Sequence, residues 1–204
     1  MVHAIALAVV LHVVNVAGVA PSTLAPARSE VARLYREIGV DVEWSHAGPR
    51  RGDQPTILVV LLDRETGALQ QRSDTVMGAA VRTAGGTNAA YVFVGRVESE
   101  AAQFGVPVER ILACAIAHEV GHLLLPDGVR TGHSPDGLMR ACWRRADFRR
   151  ADNSLLRFSP AEAALIRAAI GPAAAAAATS HSPVTVDTSE SCPPPPRASA
   201  ASCR

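Results

Sequence analysis

The stretch that decides the fold of this chain is "AHEVGHLLLPDGVRTGHSPDGLM", residues 117–139. It places His118 and His122 four residues apart, with Glu119 directly after the first histidine. Residues four apart on a helix lie on one face, one above the other. Both imidazoles could therefore each give one nitrogen to the same metal ion.

Glu119 completes the pattern H-E-x-x-H, in which the glutamate handles a proton and the histidines bind zinc. Zinc lowers the pKa of a water towards neutrality, and a neighbouring carboxylate can remove the proton as the water attacks a carbonyl. The other interpretation is a structural helix with hydrogen-bonded core histidines. Burying two histidines and a glutamate on an apolar helix is costly unless they are paired or bind metal. The pattern therefore favours a zinc hydrolase.

A catalytic zinc takes three protein ligands and keeps one position open. His133 lies eleven residues after the second histidine and is the favoured third ligand, since a segment rich in Gly, Pro and Asp can turn it back. The competing carboxylates are Asp127, Asp136 and Glu162. Glu162 also suits the first turn of a later helix, where the helix dipole favours a negative charge.

The segment "HSPDGLM", residues 133–139, resembles the element that follows the zinc helix in a known family. The chain resembles the metzincins, whose motif H-E-x-x-H-x-x-G-x-x-H precedes a Met-turn. Within them it is most similar to the matrixins, whose third histidine is followed by Ser and then by Leu-Met. The resemblance implies a zinc metalloendopeptidase with a polypeptide substrate and Zn²⁺ as its cofactor. It implies Met139 as an apolar floor under the imidazoles, Glu119 as the general base, and His118, His122 and His133 as the ligands.

The chain departs from the family's motif after the second histidine. Leu125 stands at the family's glycine position, and Gly128 stands at the position of its third histidine. We interpret residues 126–132 as a longer turn with a five-residue insertion that returns His133 to the metal.

The order of predicted elements agrees with the resemblance. Strands are predicted at residues 4–14, 40–44, 56–63, 75–83 and 89–97, the fourth at a sheet edge. Ser22 or Thr23 caps a first helix that Gly39 ends, residues 107–125 form a buried helix, and Ser159 caps a last helix that runs to Gly171. The expected fold is α+β and metzincin-like. It has a mixed, twisted sheet of about five strands, a long zinc-binding helix, a Met-turn and a C-terminal helix.

The composition of the 204 residues, of which 48% are apolar, indicates how the chain divides into a domain and a tail. Residues 1–171 suit one domain, and the Ala-, Pro- and Ser-rich residues 172–204 are predicted to be a disordered tail. The net charge of +1 gives no reason to expect nucleic acid or a membrane surface as partner. The apolar run at residues 4–14 is preferred as a buried strand over a signal peptide, since no Lys or Arg precedes it, and it is too short to span a membrane. A monomer is expected, and the resemblance weakly favours a secreted or extracytoplasmic location.

Two further segments carry open interpretations. Cys114 lies four residues before His118 and is preferred as a small buried residue over a metal ligand. The basic residues 140–150 are preferred as a solvated face over a wall of the substrate site.

For the chain as a whole, the alternative to an endopeptidase is a zinc-stabilised binding module that has lost catalysis. Hydrolysis of another amide or an ester is a third reading. Glu119 favours an enzyme, because a degenerate site has no reason to keep the base.

Overall fold

Apolar segments form the centre of a five-stranded sheet in the computed structural model, which describes residues 7–45, 54–64, 76–82, 88–126 and 133–171. The strands are β1 (Leu7–Asn15), β2 (Val40–Ser45), β3 (Thr56–Leu62), β4 (Gly78–Arg82) and β5 (Asn88–Phe93). Their order across the sheet is β2-β1-β3-β5-β4. Neighbours are parallel except β4, which runs antiparallel to β5 at one edge.

The central strands are those with the longest apolar runs. Val9 and Leu11 of β1 and Ile57, Val59 and Leu61 of β3 are fully buried. Strands that are covered on both faces read as continuous hydrophobic sequence, which is how residues 56–62 read. The predicted strand at the N-terminal end is thus confirmed from Leu7 onward.

Five helices lie within the described residues: α1 (Pro21–Glu37), α2 (Val94–Phe104), α3 (Val108–Leu124), α4 (Arg145–Asp152) and α5 (Pro160–Ile170). Helices α1 and α3 contact each other, α1 also contacts β2, and α3 also contacts β4 and β5. Together they reach from one edge of the sheet to the other. This architecture confirms the coarse prediction of an α+β fold with a mixed sheet of about five strands.

Helix α3 carries the two histidines of the opening motif, and its predicted extent is confirmed to within one residue. Every residue from Ile111 to Leu124 is buried, as expected for a helix that is apolar nearly all round. The helix ends before Pro126 because the residue preceding a proline is disfavoured in the helical conformation. Leu125 is accordingly extended, with φ −73° and ψ 147°. The last helix is also confirmed, with Ser159 as N-cap and Gly171 as C-cap.

Two predicted boundaries are wrong. The first helix begins at Pro21 with Ala20 as its N-cap, rather than being capped by Ser22 or Thr23, because a proline suits the first helical position. Pro26 therefore lies inside the helix and not in its first turn. The strand predicted at residues 89–97 ends at Phe93, and α2 begins at the next residue.

Helices α2 and α4 were missed, each for a physical reason. Val94 directly continues the apolar run of β5, so the sequence does not mark where the strand ends and the helix begins. In α4, only Phe148 and Ala151 are buried apolar residues, too few to give a helical pattern. Its start is fixed instead by the buried Asp147, whose carboxylate accepts the Arg144 backbone N–H at 2.9 Å.

Several predictions lie wholly or partly outside the described residues. They are the ends of the strand at 75–83, the longer turn at 126–132 with Asp127 and Gly128, and the tail at 172–204. Within the described ranges, none of the helices has the length and apolar character needed to cross a membrane.

Candidate metal site

Three histidines converge where helix α3 faces the segment that begins at residue 133. One ring nitrogen from each of His118, His122 and His133 can be chosen so that all three lie within 4.8 Å of one another. The ring centroids of His122 and His133 are 4.8 Å apart, and those of His118 and His133 are 5.5 Å apart. The structure thus brings the favoured third ligand to the histidine pair, so these three side chains could hold a metal ion.

The tautomer of His118 is set by the main chain of the opposing turn. Its Nδ1 lies 2.7 Å from the Leu138 carbonyl oxygen, which can only accept, so Nδ1 carries the proton. The Nε2 of the neutral ring is then left with a lone pair. That Nε2 lies 3.0 Å from the Nε2 of His122. Histidines that bind metals usually donate their other ring N–H in this way, which fixes the ring orientation.

Three imidazoles could hold a metal ion, and zinc is among the metals that imidazole ligands suit. Zinc–nitrogen bonds of about 2.1 Å in a tetrahedral site place two ligand nitrogens about 3.4 Å apart. The Nε2 atoms of His118 and His122 lie 3.0 Å apart, and one nitrogen from each of the three rings lies within 4.8 Å of the others, which is compatible with a shared metal ion. A zinc ion held by three protein ligands would keep a fourth position for a water or a substrate atom.

The environment keeps His118 neutral, the form that a metal requires. Its side chain is 9% exposed, and burial holds the pKa of His118 well below its usual value. The nearby His122 and, to a lesser extent, His133 lower this pKa further, because a second positive charge would be repelled. The hydrogen bond to Leu138 acts in the opposite direction and is outweighed.

Met139 packs directly under the helix that bears the ligands. It is buried, and a Cβ built on Gly121 would lie 2.7 Å from the Met139 sulfur and 3.1 Å from a ring carbon of Phe158. Gly121, just before His122, thus lets Met139 and Phe158 pack closely against α3. Met139 therefore lies against the helix at Gly121, and its role as a floor under the imidazoles stays a prediction.

Glu119 is 7% exposed and lies against the edge strand β4. It is not one of the side chains that converge as ligands. The role of Glu119 as a general base beside the metal stays a prediction.

The competing carboxylates that the structure describes are placed elsewhere. Asp136 is exposed and does not join the histidine cluster. Glu162 has both oxygens engaged: one accepts the Ser159 backbone N–H at 2.7 Å, and the other accepts the hydroxyl of Ser134. Its interpretation as a first-turn carboxylate is therefore confirmed. Asp127 lies outside the described residues.

Two supports of the site were missed by sequence reasoning. The first is the link from Ser134 to Glu162, which ties the residue after His133 to the start of α5. The second is Trp143, whose indole N–H donates to the Leu138 carbonyl at 3.2 Å and whose ring lies edge-on to His118 at 6.0 Å. Neither contact leaves a local pattern, since each joins residues that the fold alone brings together.

The remaining candidates follow their simpler interpretations. Cys114 is free, buried and outside the ligand cluster, and burial raises the pKa of its thiol to about 12. Cys142 is disulfide-bonded. In the basic segment, Arg140 pairs with Asp147 at 3.2 Å. The other arginines of that segment are exposed: Arg144, Arg145, Arg149 and Arg150.

Comparison of the chain with models of known protein families gave no match, and comparison with curated proteins gave none either.

Proposed function

We propose that this protein is a zinc-dependent endopeptidase of the metzincin type, similar to the matrixins. The single observation that carries the proposal is the convergence of His118, His122 and His133, with the first imidazole oriented by a main-chain carbonyl. Support comes also from the buried Glu119, which follows His118 in the sequence, and from the buried Met139, which packs against Gly121. The motif and the order of elements supply the family resemblance.

In this proposal each residue has one task. When bound, zinc supplies Lewis-acid polarisation of the scissile carbonyl and lowers the pKa of the attacking water. The three histidines hold the metal and leave one side open. Glu119 takes the proton of the attacking water and then delivers it to the leaving amine. The Leu138 carbonyl keeps the His118 ring in the tautomer that binds.

The edge strand β4 would align an extended polypeptide substrate. Among the described strands β4 pairs only with β5, so its other edge can add a strand. Its first residue, Gly78, adjoins Glu119. A peptide paired to β4 would therefore run past the general base, which favours a polypeptide over a small amide or ester.

The test compares Glu119→Gln with wild type for zinc content and for cleavage of an unfolded protein substrate. We expect zinc to be retained, because Glu119 is not a ligand, and the rate to fall on the order of 10²–10⁴-fold, as for the loss of a positioned general base. Glu109→Gln is the matched control, since it makes the same substitution in the first turn of the same helix.

The same experiment distinguishes the proposed endopeptidase from the alternative function. A wild-type protein that holds zinc and cleaves nothing would indicate a zinc-stabilised binding module. Activity of Glu119→Gln within a fewfold of wild type would exclude the proposed mechanism.

A further inference from the structure

Gly78 occupies a place where a side chain would collide with Glu119. A Cβ built on Gly78 would lie 2.6 Å from both Cγ and Oε1 of Glu119, and 2.8 Å from its Cδ. Real Cβ atoms essentially never lie within 3.0 Å of a non-bonded heavy atom. The space that a side chain at residue 78 would need is thus already filled by the carboxylate arm of the proposed general base.

The backbone conformation does not require glycine at this position. Among the described residues, the glycines with positive φ are Gly18, Gly39, Gly105 and Gly137, and Gly78 is not one of them. An alanine could therefore adopt the same backbone. Glycine matters at residue 78 because it has no side chain, and not because of its backbone freedom.

The two elements that meet here cannot easily separate. Gly78 pairs with Val92 in the β4–β5 ladder, and the following residues up to Arg82 continue that register. Glu119 lies in the buried middle of α3, which contacts both β4 and β5. Moving the strand or the helix would disturb a packed core, whereas the carboxylate is the far end of a side chain with rotatable bonds. An added methyl group would therefore displace the carboxylate first.

We propose that Gly78 is a positioning residue for Glu119: its lack of a side chain sets where the carboxylate lies relative to the three histidines. This inference rests on the proposed function, because the position of Glu119 matters for hydrolysis only if Glu119 is the general base. Gly78 touches no reacting atom in this role. It acts through the space that it leaves.

The kinetic test uses Gly78→Ala in the full-length protein loaded with zinc. We expect kcat to fall by about 10–100-fold, since a misplacement of about 1 Å can cost on the order of 10² in rate. The KM and the zinc content should stay within a fewfold of wild type. Gly171→Ala is the control, because a Cβ there would meet only two carbonyl oxygens, at 3.4 Å and 3.6 Å.

The same substitution in the Glu119→Gln variant distinguishes a positioning effect on Glu119 from a general structural effect. Glu119→Gln already lacks the base, so adding Gly78→Ala to it should lower the residual rate by less than twofold. A further tenfold fall in that background would overturn the proposal. A kcat of Gly78→Ala equal to that of wild type would also overturn the proposal. A loss of zinc together with activity in Gly78→Ala would do the same.

A crystal structure tests the positioning role of Gly78 without any measurement of activity. In a crystal structure of metal-free Gly78→Ala, the Glu119 carboxylate should be displaced while the main chains of β4 and α3 stay in place. A displaced strand with an unmoved carboxylate would overturn the proposal. If wild type itself cleaves nothing, the proposed function fails, but this displacement still tests the steric part of the inference.

A folding control covers the case in which Gly78→Ala alone is unstable. Glu119→Ala removes the three atoms nearest to the new methyl group. The double variant Gly78→Ala/Glu119→Ala should therefore fold with nearly the melting temperature of Glu119→Ala. Failure of the double variant to fold would show that residue 78 collides with something other than Glu119, which would overturn the proposal.

Discussion

At the scale of single residues, the third ligand is where this chain departs most from the family it resembles. The family reaches its third histidine six residues after the second, whereas here the interval is eleven. His133 nevertheless lies with the other two imidazoles, while Asp136 and Glu162 do not. The longer interval in the sequence therefore does not keep His133 away from the other two imidazoles.

We predict that His133→Ala loses zinc and that Asp127→Ala retains it. Removing His133 leaves two protein ligands, too few for a stable zinc site of this kind. Zinc retention during mild chelation, measured side by side for both variants and wild type, checks the prediction. Retention by His133→Ala together with loss by Asp127→Ala would instead assign a centre of two histidines and one aspartate.

At the scale of elements, the metal site depends on how α5 is joined to the segment after α3. The carboxylate of Glu162 caps its own helix through the Ser159 backbone N–H and also receives the Ser134 hydroxyl. Ser134 in turn donates its backbone N–H to the Met139 carbonyl at 2.9 Å. The start of α5 therefore holds Ser134, the residue after His133, and Ser134 in turn holds Met139.

We predict that Glu162→Ala weakens both the fold and the metal site. Loss of the buried carboxylate should lower the free energy of unfolding by about 1–3 kcal/mol, because its partners lose their acceptor. Zinc affinity should fall up to about tenfold, as for the loss of a support behind a ligand. Chemical denaturation and a competitive zinc titration measure the two effects.

Ser159→Ala is the matched control for that prediction. It removes the side-chain cap of α5, at a cost of about 1 kcal/mol, but leaves the link between Glu162 and Ser134. Its zinc affinity should equal that of wild type. Equal losses of zinc affinity in both variants would mean that the cap, and not the link, supports the site.

At the scale of the whole molecule, the helices and strands that could be predicted are those marked by a local sequence pattern. The strand at 56–62 is apolar throughout after Thr56, helix α3 is long and mostly apolar, and Ser159 with Pro160 marks a helix start. Contacts between distant segments leave no such pattern. The approach of Gly78 to Glu119 and of Trp143 to His118 depends on how strands and turns are arranged in space, so neither could be derived from spacing.

We predict that the metal-free protein loses stability as the pH falls from 7 towards 5.5. Burial lowers the pKa of His118 in the fold below the ordinary value of 6.5. Below that ordinary value the unfolded chain binds a proton that the folded chain resists, so acidification favours unfolding. Urea denaturation of metal-free protein across this range measures the slope. The variant His118→Gln should show a flatter dependence, and an equal slope in both proteins would contradict the assignment to His118.

The contact between Trp143 and His118 gives the molecule a built-in optical reporter. The chain has two tryptophans, and the other, Trp44, lies on β2 at the opposite edge of the sheet from β4. An indole that shares a carbonyl with a ligand imidazole senses the charge that a metal brings, so adding zinc to metal-free protein should change the emission of Trp143. The change should persist in Trp44→Phe and vanish in Trp143→Phe. Occupancy could then be followed in real time without a dye or a substrate.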